Sequence, residues 1–240
     1  MSQTAEELQL NVVNSSFMLK VFYVFAGLAV LSGGLSFAGK WLGASIAMAG
    51  HTDDSSMREI VIGNNVIAAP ANAIRFERQR TNGVAGRLDL YFRYPQMEGY
   101  SREAAADFNH AGDAKSIVFV SFESRMMSRD MSGRFEPIYR SLIVEPPTTG
   151  PAGLAVYGFD QKSGYLNESL LVGARPGEAT PYVARCLTGA GAEESLAPCE
   201  RDIQLGDELS MTYRFPKELL PDWQRLDAAI LAKAGQMLRQ

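Results

Sequence analysis

The chain has 240 residues, 46% hydrophobic and 21% charged, a balance that excludes wholesale disorder and a multi-span membrane protein. Its length suits one or two domains. A net charge of −4 is too small to draw the chain to nucleic acid or to an anionic bilayer. Arg outnumbers Lys, which reads first as solvated, salt-bridged strand faces, with a partner surface as the alternative.

Residues 1–18 form a short polar tail, too few to fold alone. From Val21 to Gly39 the chain runs nineteen residues without a charge. At 1.5 Å per residue that is about 28 Å, close to the hydrocarbon thickness of a bilayer. Lys20 and Lys40 bracket this run, and Tyr23 and Trp41 stand where interfacial aromatics belong. Residues 19–40 therefore read as a transmembrane anchor in the lipid bilayer. Ala47-Met48-Ala49 before Gly50 has the form of a signal-peptidase site. However, the apolar run exceeds a signal peptide's usual core and Lys40 interrupts the path to the cleavage point, so an uncleaved anchor is the preferred reading. Small residues recur at four-residue spacing, with Gly34 and Ala38 on one register and Gly39 and Gly43 on another. Such a pattern permits close packing between membrane helices, though general Gly/Ala richness produces it too.

Residues 41–58 read as a linker, ending in the polar stretch HTDDSSMR. Residues 59–240 then change character, with short runs broken by turn signals. Glu59–Gly63 and Val66–Ala69 are candidate strands around Asn64-Asn65. Arg87–Tyr94 alternates, with Leu88, Leu90, Phe92 and Tyr94 on one face, so it reads as a half-buried strand. Ser101–Asn109 reads as a short helix capped by Ser101. Ser116–Glu123 is a continuous apolar run, expected to be covered on both faces. Ile138–Val144, Leu154–Phe159, Ser169–Val172, Tyr182–Leu187 and Glu208–Phe215 are further strands, the last with Leu209, Met211, Tyr213 and Phe215 inward. Beyond Pro221 the period changes. Trp223, Leu226, Ile230, Ala234 and Met237 fall at spacings of three and four, predicting a helix over 221–238 with one buried face. The expected fold class is mainly β: an N-terminal transmembrane helix, then an antiparallel β-sandwich or bent sheet with a C-terminal amphipathic helix.

The two cysteines, Cys186 and Cys199, flank a Gly/Ala/Glu-rich stretch without strand pattern. That arrangement suits a disulfide staple, worth about 3 kcal/mol in the chain-entropy model. Bacterial cytosol keeps thiols reduced, so the staple places the domain outside it and the N-terminus in the cytoplasm.

Little in the sequence points to chemistry. Asp107, His110 and Asp113 stand three apart, but in a Gly-containing loop they share no helical face, and no metal or other cofactor is expected. With no G-x-S-x-G elbow, G-x-G-x-x-G or P-loop, neither a hydrolase nor a nucleotide site is indicated. The segment Glu123–Tyr139 is unusual in interleaving Arg125, Arg129 and Arg134 with Met126, Met127 and Met131. Adaptable Met with Arg forks is an interface composition, but a long hairpin loop with its Met residues tucked inward is the preferred reading.

The segments RLDLYFRYP, DMSGRFEPIYR and CERDIQLGDELSMTYRFPKELLPDWQRLDAA resemble uncharacterised single-pass membrane-anchored proteins of rhizobial alphaproteobacteria. That resemblance carries no assigned activity and no site residues. What it implies is a Gram-negative inner membrane with a periplasmic domain. The expectation is a non-enzymatic accessory or scaffold subunit that binds another envelope component, in practice a protein of the membrane or periplasm. The alternative is a small-ligand or glycan-binding domain using Tyr91, Tyr157 and Tyr165.

Overall fold

The computed structural model describes residues 15–48, 50–111, 115–175 and 177–239, with backbone alone for Ser15 and for 37–48. The chain divides into two compact units between residues 49 and 50.

The described residues of the first unit form one helix, α1 (Ser15–Met48). Within it Ser16–Ser36, 21 residues, is long and apolar enough to cross a membrane. Its large side chains, among them Phe22, Phe25, Leu28 and Leu31, are exposed. Gly34 lies in this stretch; Ala38, Gly39 and Gly43 continue the helix, but their side chains, like Ala49 and residues 1–14, lie outside the described residues. Residues 41–48 are helical and not the linker that the sequence suggested. They hold no Pro and stop just short of Gly50, whose φ of +82° disfavours side chains.

The second unit is mainly β. Its first hairpin, β1 (Met57–Ile62) and β2 (Asn65–Pro70), turns through Gly63-Asn64. With β3 (Gly83–Val84) on one side and β12 (Leu238–Arg239) on the other, it forms a four-stranded sheet. The larger sheet has eight strands: β4 (Arg87–Arg93), β5 (Ile117–Ser124), β6 (Ile143–Thr149), β7 (Ala155–Phe159), β8 (Glu168–Gly173), β9 (Tyr182–Leu187), β10 (Cys199–Leu205) and β11 (Leu209–Phe215). Their order is β4-β5-β11-β10-β9-β8-β7-β6, antiparallel throughout. Pro146 and Pro147 sit on the edge strand β6, where missing N–H donors hinder pairing with another chain.

Alternation decides which face is core. Leu88, Phe122, Met211 and Ile203 are register partners across four strands and all are buried. Over this inner face lie the small sheet, through Ile60, Ile62 and Ile67, and α4 (Trp223–Met237), through Trp223, Leu226, Ile230, Ala234 and Met237. The Trp223 indole packs so closely on Gly173 that a Cβ there would come within 2.7 Å of it.

A charged lock joins α4 to the sheet. Asp227, 4% exposed, accepts a 2.7 Å hydrogen bond from the Tyr213 hydroxyl and pairs with Arg175 and Arg201. Arg201, 2% exposed, also donates to Ser132 Oγ and Val183 O at 2.9 Å and stacks over the Tyr182 ring. Burial pushes the Tyr182 hydroxyl up to about 12 and that of Tyr213 well above its ordinary value. Elsewhere the two sheets are stitched by Asn65, whose amide donates to Asp207 O at 2.6 Å while its Oδ1 accepts from Asp207 N at 2.9 Å.

The expected disulfide is formed. Cys186 and Cys199 are direct register partners on β9 and β10, so the intervening loop is a closed hairpin connection carrying α3 (Ala190–Glu194).

Four sequence expectations need correction. Ser116–Glu123 is packed on one face, and on the other Phe119, Ser121 and Glu123 border open cavities. Ser101–Asn109 is mostly turn, with α2 only at Ala105–Phe108, because Ser101 caps the turn through Ala104 N rather than a longer helix. Ile138–Val144 begins as a 3-10 turn at Tyr139–Ser141, since Tyr139 is drawn into a buried aromatic cluster; the strand starts at Ile143. Residues 51–56 are no free linker. His51 stacks on Tyr100 with ring centroids 4.6 Å apart, and its Nδ1 lies 2.9 Å from the Tyr91 hydroxyl. Asp53 pairs with Arg102 at 2.7 Å.

Candidate functional site

The outer face of the large sheet is covered at both flanks and open between them. On one flank His51, Tyr100 and Phe108 close over Tyr91 of β4. On the other, Met131, Phe135 and Tyr139, from the connection between β5 and β6, close over Leu170 and Val183 of β8 and β9. The covers lie over apolar outward residues at each flank, Tyr91 on one and Leu170 and Val183 on the other, while the outward positions between them are polar or charged apart from Phe119.

What stays open is a polar trough built from three register rows. Arg87, Glu123, Ser210 and Gln204 form one; Asp89, Ser121, Thr212 and Asp202 the second; Phe119, Arg214, Glu200 and Arg185 the third. From β4 to β10 it spans about 14 Å, three strand spacings. Two cavities of about 360 and 400 Å³ share Arg87, Ser121, Thr212 and Arg214, so they are halves of one depression. Leu196 and Ala197 of the disulfide-closed loop wall one half, and Met126, Met127 and Met131 the other.

Most charges inside are matched. Arg87 bonds Asp89 at 2.9 Å and Glu123 at 3.1 Å, and the Asp89 bond leads in raising its pKa. Arg134 bonds Asp202 at 2.6 Å; burial pushes the Asp202 carboxyl up despite Arg134 pulling it down. Arg185 pairs with Glu168 and Glu200. Arg75 and Arg214 are exposed, and neither meets a carboxylate among the described residues. Arg75 instead lies over the rings of Phe76 and Phe119, at 5.1 and 4.9 Å. His110 stands near Phe119, its ring centroid 6.3 Å away, with its pKa lowered by burial and by Arg75.

The Met–Arg segment divides between cover and rim. Met131 is buried in the cover and Arg134 reaches into the trough, whereas Met126, 89% exposed, and Met127 stand at the rim. Arg125 turns aside to pair with Glu208, and Arg129 does not line the trough. The aromatic set separates too. Tyr91 is 2% exposed beneath His51 and is no surface aromatic, while Tyr165 stacks on Phe159 under the Arg185 guanidinium. Asp107 pairs with Arg93 at 3.4 Å, and Asp113 lies outside the described residues. Sequence reasoning missed Arg75, Arg87, Ser121, Thr212 and Arg214. The alternation of β4 and β11 assigned Arg87 and Thr212 an outward face, but only the strand order makes neighbours of them.

No family model matches the chain, and neither does any curated protein. Among solved structures, it resembles Smlt3025, an immunity protein of the Stenotrophomonas maltophilia type IV secretion system, with a TM-score of 0.50 and 12% identity, covering 78% of this chain and 94% of that one. The iron-regulated outer membrane lipoprotein FrpD of Neisseria meningitidis matches with a TM-score of 0.41 and 10% identity, over 77% and 95% of the respective chains. At these identities the first likeness concerns the fold.

Proposed function

We propose that this chain is a non-enzymatic, single-pass inner-membrane protein with a cytoplasmic N-terminus. Its periplasmic β domain acts as an accessory or scaffold subunit, holding another envelope protein in the outer-face trough. The observation that carries this reading is the trough itself: a polar floor with two unmatched guanidinium groups, rimmed by exposed Met126, Met127 and Leu196. Arg and Met around such a depression match the composition of protein interfaces. Support for the location comes from the 21-residue apolar stretch and from the disulfide, which persists outside reducing compartments. The resemblance to rhizobial membrane-anchored proteins belongs to the same proposal. An immunity protein uses this fold, but the reading rests on the trough and not on that likeness.

Purification from gently solubilised membranes tests it. The wild-type chain should retain a stoichiometric partner, and Thr212→Trp, which fills the floor, should release it. Recovery of the wild-type chain alone, or full retention by Thr212→Trp, defeats the reading.

A further inference from the structure

We propose that the Phe119 half of the trough is an oxyanion site, formed by Arg75 and Arg214, that receives a carboxylate side chain of the bound protein. This rests on the trough being a partner-binding surface and names the chemistry that the partner must present.

Three of the five Arg side chains lining the trough are already committed: Arg87 to Asp89 and Glu123, Arg134 to Asp202, and Arg185 to Glu168 and Glu200. Arg75 and Arg214 are the two left over, and they line the same cavity of about 360 Å³. Phe119 stands between their roles. Its ring carries Arg75, and its cross-strand register partner is Arg214, a placement that brings Cβ atoms to about 5 Å. Stacking on both Phe76 and Phe119 holds the Arg75 guanidinium in place before any ligand arrives. Little conformational freedom is then lost on binding.

The charge balance of the cavity selects among anions. Besides Asp89, which Arg87 holds, its lining includes one further carboxylate, Glu194 of α3, which pairs with nothing among the described residues. Two unmatched cations against one unmatched anion leave room for a single negative charge. A phosphate dianion would meet Glu194 and Asp89 as repulsion. A planar monoanion suits guanidinium forks, which pair with carboxylates through two parallel hydrogen bonds. The cavity is also much larger than a carboxylate, and its wall continues into Leu196 and Ala197. The space suits an acid carried on a larger body, as a Glu or Asp side chain is on a polypeptide.

The test titrates the full-length chain in detergent micelles with an acetylated, amidated pentapeptide bearing a central Glu, its Gln counterpart, and inorganic phosphate. Side-chain Nε–H resonances report on the Arg residues. The Glu peptide should shift Arg75 and Arg214 and bind at least fivefold tighter than the Gln peptide. Arg75→Gln and Arg214→Gln should each weaken it about tenfold or more, as loss of a charge-assisted hydrogen bond requires. Arg214→Lys should recover only part. Both side chains are exposed, and unchanged near-ultraviolet dichroism confirms that each variant folds. Equal binding of Glu and Gln peptides, wild-type binding by the Gln variants, or phosphate binding tighter than the Glu peptide would each overturn the assignment. Retention of the natural partner by the Arg75→Gln/Arg214→Gln double variant would overturn it as well while leaving the trough as a binding surface. Arg-dependent Glu-peptide binding by a chain that purifies alone would uphold the oxyanion site and remove the partner reading instead.

Discussion

Asp227→Ala should be among the most damaging single substitutions in the domain. The Asp227 carboxylate meets Tyr213 at 2.7 Å, Arg201 Nε at 3.1 Å and the Arg175 guanidinium. With it gone, Arg201, 2% exposed, keeps its bonds to Ser132 and Val183 but loses its only counter-charge among the described residues. Removing one member of a buried ion pair costs about 3–5 kcal/mol, most of it the penalty of an uncompensated charge. For a domain of this size that is roughly a 10 °C drop in Tm. Urea unfolding of the full-length chain in micelles, followed by tryptophan fluorescence in a Trp41→Phe background so that Trp223 alone reports, measures it. Arg201→Ala and the double variant complete a cycle in which the coupling should exceed about 1 kcal/mol. A loss below 1 kcal/mol for Asp227→Ala, or strict additivity with Arg201→Ala, would refute the view that this buried cluster clamps α4 to the sheet.

Two further perturbations probe the packing of His51 and the disulfide. Burial is the main cause of the lowered His51 pKa, with the Asn109 bond opposing it and Arg80 and His110 reinforcing it. The unfolded chain therefore binds that proton more readily, so stability is complete above the ordinary value of 6.5 and falls as pH drops below it. Between pH 7.5 and 5.5 the wild-type Tm should fall further than that of His51→Phe; equal falls would contradict the packing of His51. Replacing both cysteines with Ala should cost about 3 kcal/mol in urea unfolding, the ring-closure value. In intact cells neither wild-type sulfur should react with an alkylating reagent, and labelling of both would remove the case for an oxidising compartment.

Legibility in the sequence followed how local each determinant is. β4 and β11 were readable because alternation places their outward and inward residues without reference to any other strand. The C-terminal helix was readable for the same reason, at period 3.6. β10 escaped because its inward series, Cys199, Arg201, Ile203 and Leu205, contains a charge whose partner, Asp227, lies on a helix far along the chain. The connection from Arg125 to Leu142 was readable as a long loop that tucks Met inward, as Met131 does, but its covering of β8 and β9 is a task without periodicity and left no signal. His51 looked like part of a polar linker, since its polar neighbours hide that its ring fills a gap between Tyr91 and Tyr100. The trough was the least legible feature. Its rows join Arg87, Glu123, Ser210 and Gln204 from four strands, and only the strand order brings them side by side.

The most direct measurement is site-specific photocrosslinking in intact cells, with the photoreactive residue placed at Ser121 in the trough floor or at Val84 on the exposed β3. A discrete adduct to one envelope protein from position 121, absent from position 84 and lost in the Thr212→Trp background, is the predicted result. Identical patterns from both positions, or an adduct untouched by filling the trough, would contradict the account.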